Sequence, residues 1–123
     1  MFPKYFTPKE ATKRLPLVKK IVGDILAKVH RMRRLAEEYD NEELPVEYYD
    51  LEADISVHMR ELENLGCFYK DWNFEIGLVD FPAIVNNEEV FLCWRSDEEN
   101  LRWYHGIEEG YAGRRLIPQE LLG

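Results

Sequence analysis

The spacing of apolar residues changes once along this chain, close to Gly66, and this change limits the folds that the chain can adopt. Before Gly66, apolar residues recur every three or four positions, as they do on one face of an α-helix. After it, short runs rich in β-branched and aromatic residues are typical of strands. The 123 residues therefore predict one α+β domain, with a helical part at 1–66 and a β-rich part at 67–123.

The first helical segment has a clear start and an interruption. Thr7-Pro8-Lys9-Glu10 contains the residues of a capping box, with proline at the first helical position. Pro16 lacks a backbone N–H and disfavours helix at the residue before it. We therefore expect a short helix at about 8–14, followed by a long one at about 16–39.

A second helix is predicted at about 46–65, and Gly66 ends it as a C-terminal cap. The short loop at 40–45 makes the two long helices an antiparallel hairpin. The apolar stripe of the first long helix is too wide for one partner helix. We therefore predict that the C-terminal segment, a second subunit or both cover the remainder, and we favour a homodimer that forms a four-helix bundle.

The charge is distributed unevenly. The net charge is −8 overall, but it is +8 over residues 1–34, −9 over 35–70 and −7 over 71–123. A basic helix next to an acidic one predicts two helices that attract each other. Because the acidic helix cancels most of the basic field, the distribution argues against a nucleic-acid partner.

The chain lacks the sequence features of a membrane or secreted protein. No apolar run approaches the roughly 20 residues that a membrane span needs, and the N-terminus does not resemble a signal peptide. The two cysteines, Cys67 and Cys93, have no spacing typical of a metal site and point to a reducing compartment. We therefore expect a cytoplasmic protein.

The β-rich part predicts a small antiparallel sheet. Asn86-Asn87 tolerates the left-handed backbone of a tight hairpin turn. Pro82 indicates an edge strand or a bulge at its position. The tail at 116–122 reads as an apolar strap. The expected strands are 78–85, 89–95 and 101–105.

Strand alternation brings several polar residues together. A hairpin loop with an even number of residues places Asp80, Cys93 and Arg95 on one face of the sheet. Asp80 and Arg95 then form a structural salt bridge, or Arg95 binds an anionic ligand that Asp80 orients. The apolar neighbours of Cys93 predict a thiol with a raised pKa and low reactivity.

His105 is the only histidine outside the helices, and it shares a strand face with Trp103. Most histidines in such a position are structural and hydrogen-bonded, whereas a histidine beside carboxylates can also act as a general base or a metal ligand. The candidate metal set is His105, Asp80 and Glu98, with Glu99 as the substitute for Glu98. No cofactor is predicted, and a divalent metal is the open alternative.

The segment 110–115, Gly-Tyr-Ala-Gly-Arg-Arg, is a flexible turn that ends in two guanidinium groups. Exposed backbone N–H groups with arginine nearby can hold a phosphate or a carboxylate. The other interpretation is a structural turn whose arginines pair with Glu108, Glu109 or the acidic helix. Arg114 is therefore a candidate ligand-binding residue.

Five motifs resemble a small bacterial family, the domain of unknown function 2203. These are FTPKEATKRLP, GLVDFPA, LCWR, a Trp-x-His and GYAGRR, and together they extend over nearly the whole chain. Ser96-Asp97-Glu98-Glu99 stands where the family pattern has Leu-Gly-Glu, and Tyr104 separates an aromatic residue from a histidine that usually adjoin. The resemblance implies the fold and a cluster of interest, and it supplies no established activity.

The sequence favours a non-enzymatic binding module for an anionic small molecule or a protein partner. In this hypothesis Arg95 and Arg114 contact the anion, Asp80 and His105 orient it, and Trp94 or Trp103 forms a wall of the pocket. The first alternative is a small metal-assisted hydrolase or lyase that uses His105, Asp80 and Glu98. The second is a structural interaction module that acts through the helical hairpin.

Overall fold

The computed structural model describes residues 2–122 and has two long helices followed by a five-stranded antiparallel sheet, so the predicted α+β class is confirmed. The strands lie in the sheet in the order of the sequence. The elements are α1 (Pro8–Glu38), α2 (Val46–Leu65), β1 (Phe68–Tyr69), β2 (Leu78–Val85), β3 (Glu88–Arg95), β4 (Trp103–Gly106), β5 (Arg115–Leu116) and α3 (Gln119–Leu122).

Helix α1 starts as the sequence predicts and continues where the sequence predicts a break. The Thr7 hydroxyl accepts from the Glu10 backbone N–H, and the Glu10 carboxylate accepts from the Thr7 N–H, which completes the capping box. The expected interruption is wrong, because Pro16 lies inside one continuous helix of 31 residues. Leu15 and Val18, on either side of the exposed proline, are buried in the core, and this packing offsets the lost hydrogen bond.

Helix α2 has the predicted bounds and ends at Gly66, whose φ of +95° is the left-handed conformation of a C-terminal cap. The predicted attraction between the helices takes the form of ion pairs. Arg31 bonds Glu47 at 3.0 Å, and Lys28 lies 3.4 Å from Asp54. These contacts hold the basic helix against the acidic one on the exposed side of the hairpin.

Strands β2 and β3 form a hairpin with a two-residue turn. Asn86 and Asn87 have φ values of +53° and +67°, so the predicted left-handed turn is confirmed. The pairing runs from Leu78 opposite Arg95 to Val85 opposite Glu88 without an inserted residue, so there is no bulge at Pro82. Strand β1 pairs with β2 only as far as Asp80. At Pro82, β2 is therefore an edge of the sheet, where proline is tolerated.

One side of the sheet packs against α1 and forms the core. Alternate residues of β2, including Val79 and Phe81, belong to the same buried cluster as Val18, Val22 and Ile25 of α1. The C-terminal sheet therefore covers much of the wide apolar stripe of α1, as predicted for the C-terminal segment, whereas a second subunit stays a prediction. The intervening residues of β2, β3 and β4 point to the opposite side, called the outer side below.

The smaller elements differ from the predictions. The third strand lies at Trp103–Gly106 rather than at 101–105, and the two-residue strands β1 and β5 flank the sheet. The tail contains β5 and the short helix α3, and its Ile117 is buried in the core. Two-residue strands contain no alternation, so a sequence pattern cannot reveal them.

None of the helices within residues 2–122 combines the length and the apolar character that a bilayer-crossing segment needs.

Candidate functional site

Three chemically different side chains meet on the outer side of the sheet. Asp80 in β2 lies directly opposite Cys93 in β3, as an even-numbered hairpin loop predicts. In β4, His105 pairs with Phe91 and is therefore diagonal to Cys93 on the same face. One ligand-type atom from each of the three residues lies within 4.8 Å of the others. We call Asp80, Cys93 and His105 the outer-face cluster.

The outer-face cluster is buried although all three of its members are ionisable. Asp80 is 4% exposed, His105 is 3% exposed and Cys93 is 1% exposed. Polar side chains in such positions need partners, because an unpaired charge in the interior is strongly unfavourable. The partners are within the cluster itself and in the backbone of β4.

His105 uses both ring nitrogens. Its Nδ1 donates to the Gly106 carbonyl oxygen at 2.8 Å, and its Nε2 lies 3.2 Å from Asp80 Oδ1. A carbonyl oxygen can only accept, so Nδ1 carries a proton and Nε2 is the nitrogen directed at the cluster. The ring orientation is therefore fixed by the backbone of the neighbouring residue.

The surroundings shift two pKa values in the cluster. Burial by itself lowers the pKa of His105, but the bonds to Asp80 and to the Gly106 carbonyl outweigh it and raise the pKa. Burial, followed by the charge of Asp80, raises the pKa of Cys93 to about 12. These contacts favour the protonated imidazole of His105 beside Asp80, and Cys93 remains a protonated thiol, which is consistent with its predicted low reactivity.

This arrangement does not suit a nucleophilic cysteine. Activation of a thiol needs an imidazole nitrogen aimed at the sulfur, with the other nitrogen oriented by a third group. In this site Nε2 of His105 bonds Asp80, and Nδ1 is occupied by the Gly106 carbonyl. The negative charge of Asp80 also disfavours the Cys93 thiolate.

The same arrangement suits a metal ion. A ligating histidine typically binds through one nitrogen while the other donates to a backbone carbonyl or a carboxylate, as His105 Nδ1 does. Thiolate sulfur, imidazole nitrogen and carboxylate oxygen are all zinc ligands. Each comes from a different central strand, so the sheet fixes their relative positions.

A cleft of about 250 Å³ opens onto the cluster. Asp80, Cys93 and His105 all line it. The other residues that line it are Lys70, Leu78, Phe91, Ile107, Gly110 and Tyr111.

Arg95, which the sequence places on the same face, does not join the cluster. Its guanidinium pairs with Asp97, two residues along the chain, and donates to the Tyr111 hydroxyl at 2.5 Å. Asp80 bonds His105 instead. Within the part of the chain that the structure describes, Asp80 and Arg95 form no ion pair, so the predicted salt bridge is wrong.

Arg114 and Glu98 form a separate pair beside the cluster. The Arg114 guanidinium lies 2.6 Å from Glu98 Oε1, with only 9% of its side chain exposed, and stacks over the Trp103 ring at 4.9 Å. Glu98 also accepts from the Arg95 backbone N–H. Glu98 is therefore a structural partner of Arg114 and is not placed beside His105 as the predicted metal set requires.

The sequence indicates Asp80 and His105 as site residues and places Cys93 on the face of Asp80, but it predicts an unreactive thiol there rather than a ligand. It does not indicate Lys70 or Tyr111 as site residues. Lys70 lies just after β1, a strand without a sequence signal. Tyr111 is in the glycine-containing turn, where a short 3-10 helix at Tyr111–Gly113 directs it to the cleft.

The sequence matches one protein family. No curated protein and no solved structure gives a significant match. Residues 4–117 match the model of the family described as uncharacterized conserved protein, domain of unknown function 2203. This match extends over most of the chain and includes all three residues of the outer-face cluster. The chain therefore belongs to the family called domain of unknown function 2203.

Proposed function

We propose that this protein binds one divalent transition-metal ion, with zinc as the best fit, through Asp80, Cys93 and His105. The observation that carries the proposal is the fixed orientation of His105. Its Nδ1–H is held by the Gly106 carbonyl, so Nε2 is directed at a carboxylate and a thiol. This is the arrangement of a ligating histidine with its outer-shell partner.

The charges of the three proposed ligands balance the charge of a divalent ion. A carboxylate and a thiolate offset the two positive charges of the ion, and neutral His105 completes a set of three. Binding displaces protons from Cys93 and His105, because metals bind the deprotonated forms of these groups. A mixed sulfur, nitrogen and oxygen set favours zinc over magnesium or calcium, which prefer oxygen alone.

The competing explanation is a buried ion pair that serves stability only. Such a pair requires Asp80 and His105, but it does not require Cys93 or a cleft that opens onto all three residues. A thiol ligand also requires a reducing environment, and both cysteines are free. We therefore place this binding protein in the cytoplasm.

The test uses the two buried cysteines as a matched pair. Cys93 belongs to the cluster, whereas Cys67 is buried near the end of α2, where its sulfur bonds the Leu62 carbonyl. Zinc affinity is measured by competition with a chromophoric chelator. We expect one zinc per chain in the native protein and in Cys67→Ala, and an affinity at least about 10-fold lower in Cys93→Ala. Equal zinc affinity in the two variants would exclude Cys93 as a ligand.

A metal-assisted hydrolase is the second candidate function. Catalytic zinc sites have three protein ligands and an open position for water or substrate, and this cluster offers three ligands beside a cleft. Glu98, the predicted acid of this alternative, is paired with Arg114. Among the described residues that line the cleft, Asp80 is the only carboxylate, so the geometry favours binding over hydrolysis.

We further propose that the protein assembles as a homodimer through its helical hairpin. Val46, Tyr49 and Val57 form an exposed apolar stripe on α2, with spacing close to that of a helix face. Acidic residues flank this stripe, and the complementary basic surface is on α1. In the proposed dimer, α1 of a second copy packs against this stripe, and the two hairpins form a four-helix bundle. The hairpin is then also the interaction surface of the protein.

A further inference from the structure

We infer that the exchangeable ligand of this site is a small carboxylate with a short apolar chain, bound between the metal ion and Lys70. This inference rests on the proposed metal site and adds the chemical class of the molecule that occupies the cleft. Three protein ligands leave at least one coordination position of a zinc-like ion open. The cleft beside the cluster is the space from which a ligand reaches that position.

The charges around the cleft favour an anion. Asp80 and the Cys93 thiolate offset the charge of the ion, so the positive charge that attracts a ligand comes from elsewhere. Lys70 lines the cleft, and its ammonium lies 5.2 Å from the centroid of the Phe91 ring. Within residues 2–122, no carboxylate forms an ion pair with this ammonium, in contrast to Arg95 and Arg114.

Tyr111 supplies a second polar contact in the cleft. Its hydroxyl oxygen accepts from Arg95 Nη1 at 2.5 Å. The hydroxyl oxygen accepts the arginine N–H through one of its lone pairs, so the hydroxyl hydrogen is still available to donate to a ligand. The guanidinium groups of Arg95 and Arg114 lie over the Tyr111 ring at 5.6 Å and 4.8 Å, and these contacts hold the ring in place beside the cleft.

The size and the walls of the cleft limit the ligand further. A volume of about 250 Å³ is below the usual range of about 300–1,000 Å³ for sites that hold drug-sized molecules. Leu78, Phe91 and Ile107 provide an apolar wall. A carboxylate with a short hydrocarbon chain uses both features, since its oxygens reach the ion and Lys70 while its chain contacts the wall.

Cobalt-substituted protein provides the test, because the visible absorption of bound cobalt(II) reports both metal binding and ligand exchange. Propionate is the probe, and inorganic phosphate is the comparison anion without an apolar chain. We expect a saturable spectral change with propionate at lower concentrations than with phosphate. In Lys70→Ala we expect at least about 10-fold weaker propionate binding with unchanged cobalt affinity. Lys9 is exposed on α1, and Lys9→Ala is the matched control, which is expected to bind propionate and cobalt as the native protein does.

The outcomes separate this inference from the proposed function. If no cobalt spectrum forms, the metal site is excluded and the carboxylate site with it. If cobalt binds but propionate leaves the spectrum unchanged, the carboxylate inference alone is overturned. The same holds if Lys70→Ala binds propionate as tightly as the native protein does, or if phosphate binds more tightly than propionate. Tyr111→Phe tests the second contact and is expected to weaken propionate binding without affecting cobalt.

Discussion

Asp80 and His105 form a buried pair, and we expect this pair to stabilise the metal-free protein. His105 Nε2 and Asp80 Oδ1 are 3.2 Å apart, and both side chains are almost fully buried. The sequence predicts Asp80 and Cys93 on one face of the sheet, and the two-residue turn at Asn86-Asn87 places them directly opposite each other. It does not predict that His105 reaches Asp80, because the segment 96–102 before β4 has no clear turn signal.

Asp80→Asn tests the pair in chelator-treated protein. The substitution removes the negative charge beside His105 Nε2 and leaves a neutral amide in its place, so the free energy of unfolding falls by about 1–3 kcal/mol. Urea denaturation measures the change. Asp97→Asn, which breaks the exposed pair with Arg95, is the control and is expected to have a much smaller effect, because solvent screens that pair. Equal effects of the two substitutions would contradict the structural role of Asp80.

Arg95 shows why face assignments alone do not predict a site. Alternation places it on the outer side, as observed, but its long side chain turns toward Asp97 and Tyr111. The raised pKa of Arg95 follows first from its hydrogen bond with Asp97. The acidic residue two positions along the chain is therefore the ion-pair partner of this long side chain. Strand periodicity gives the face of a residue and does not predict its ion-pair partner.

Helix α1 and strand β2 approach each other at a glycine. A Cβ atom added at Gly77 would lie 2.3 Å from Val22 Cγ1, a side-chain atom of the buried core. The segment that leads into β2 can therefore cross α1 closely only without a side chain at this position. The sequence contains Gly77, but neither the helix pattern nor the strand pattern indicates that it is a contact point.

Gly77→Ala and Gly23→Ala are matched variants that test the close approach of α1 to the segment before β2. Gly77→Ala is expected to lower the free energy of unfolding by about 1–3 kcal/mol, because Val22 or the backbone must shift. Gly23 lies on the exposed face of α1 with open space around it, so Gly23→Ala raises stability by up to about 1 kcal/mol. Thermal or urea unfolding measures both. A neutral Gly77→Ala would show that the two elements are farther apart than described.

The strands β2 and β3 could be predicted from the sequence, whereas Pro16 misled the prediction for α1. Both strands have β-branched and aromatic residues, and Asn86-Asn87 tolerates the required positive φ. The local rule for proline predicts a break at Pro16, but burial of the flanking residues in the core overrides it. Local patterns fail where tertiary packing supplies the larger free energy.

In the whole molecule, the two proposed roles fall on separate surfaces, the helical hairpin and the outer side of the sheet. The sheet takes up much of the wide apolar stripe of α1, yet Leu62 is the only buried residue of α2. The exposed stripe on α2 is therefore available for a partner while the cleft is available for a ligand. We expect the two surfaces to be independent.

Val57→Glu tests the dimer. Val57 is 52% exposed, so the substitution leaves the monomer intact while it adds a negative charge to an acidic surface. Sedimentation velocity is expected to show a dimer for the native protein and a monomer for the variant, with unchanged zinc binding. Thr12→Glu on the exposed side of α1, near its start, is the control for added charge. A native protein that sediments as a monomer would contradict the dimer proposal.

The metal site is the central claim, and X-ray absorption at the zinc edge of the one-to-one zinc complex tests it most directly. The account predicts one sulfur at about 2.3 Å and nitrogen or oxygen ligands at about 2.0–2.2 Å. In Cys93→Ala the sulfur contribution disappears, whereas in Cys67→Ala it is retained. A zinc shell of nitrogen and oxygen alone in the native protein, or failure to retain one zinc per chain, would contradict the account.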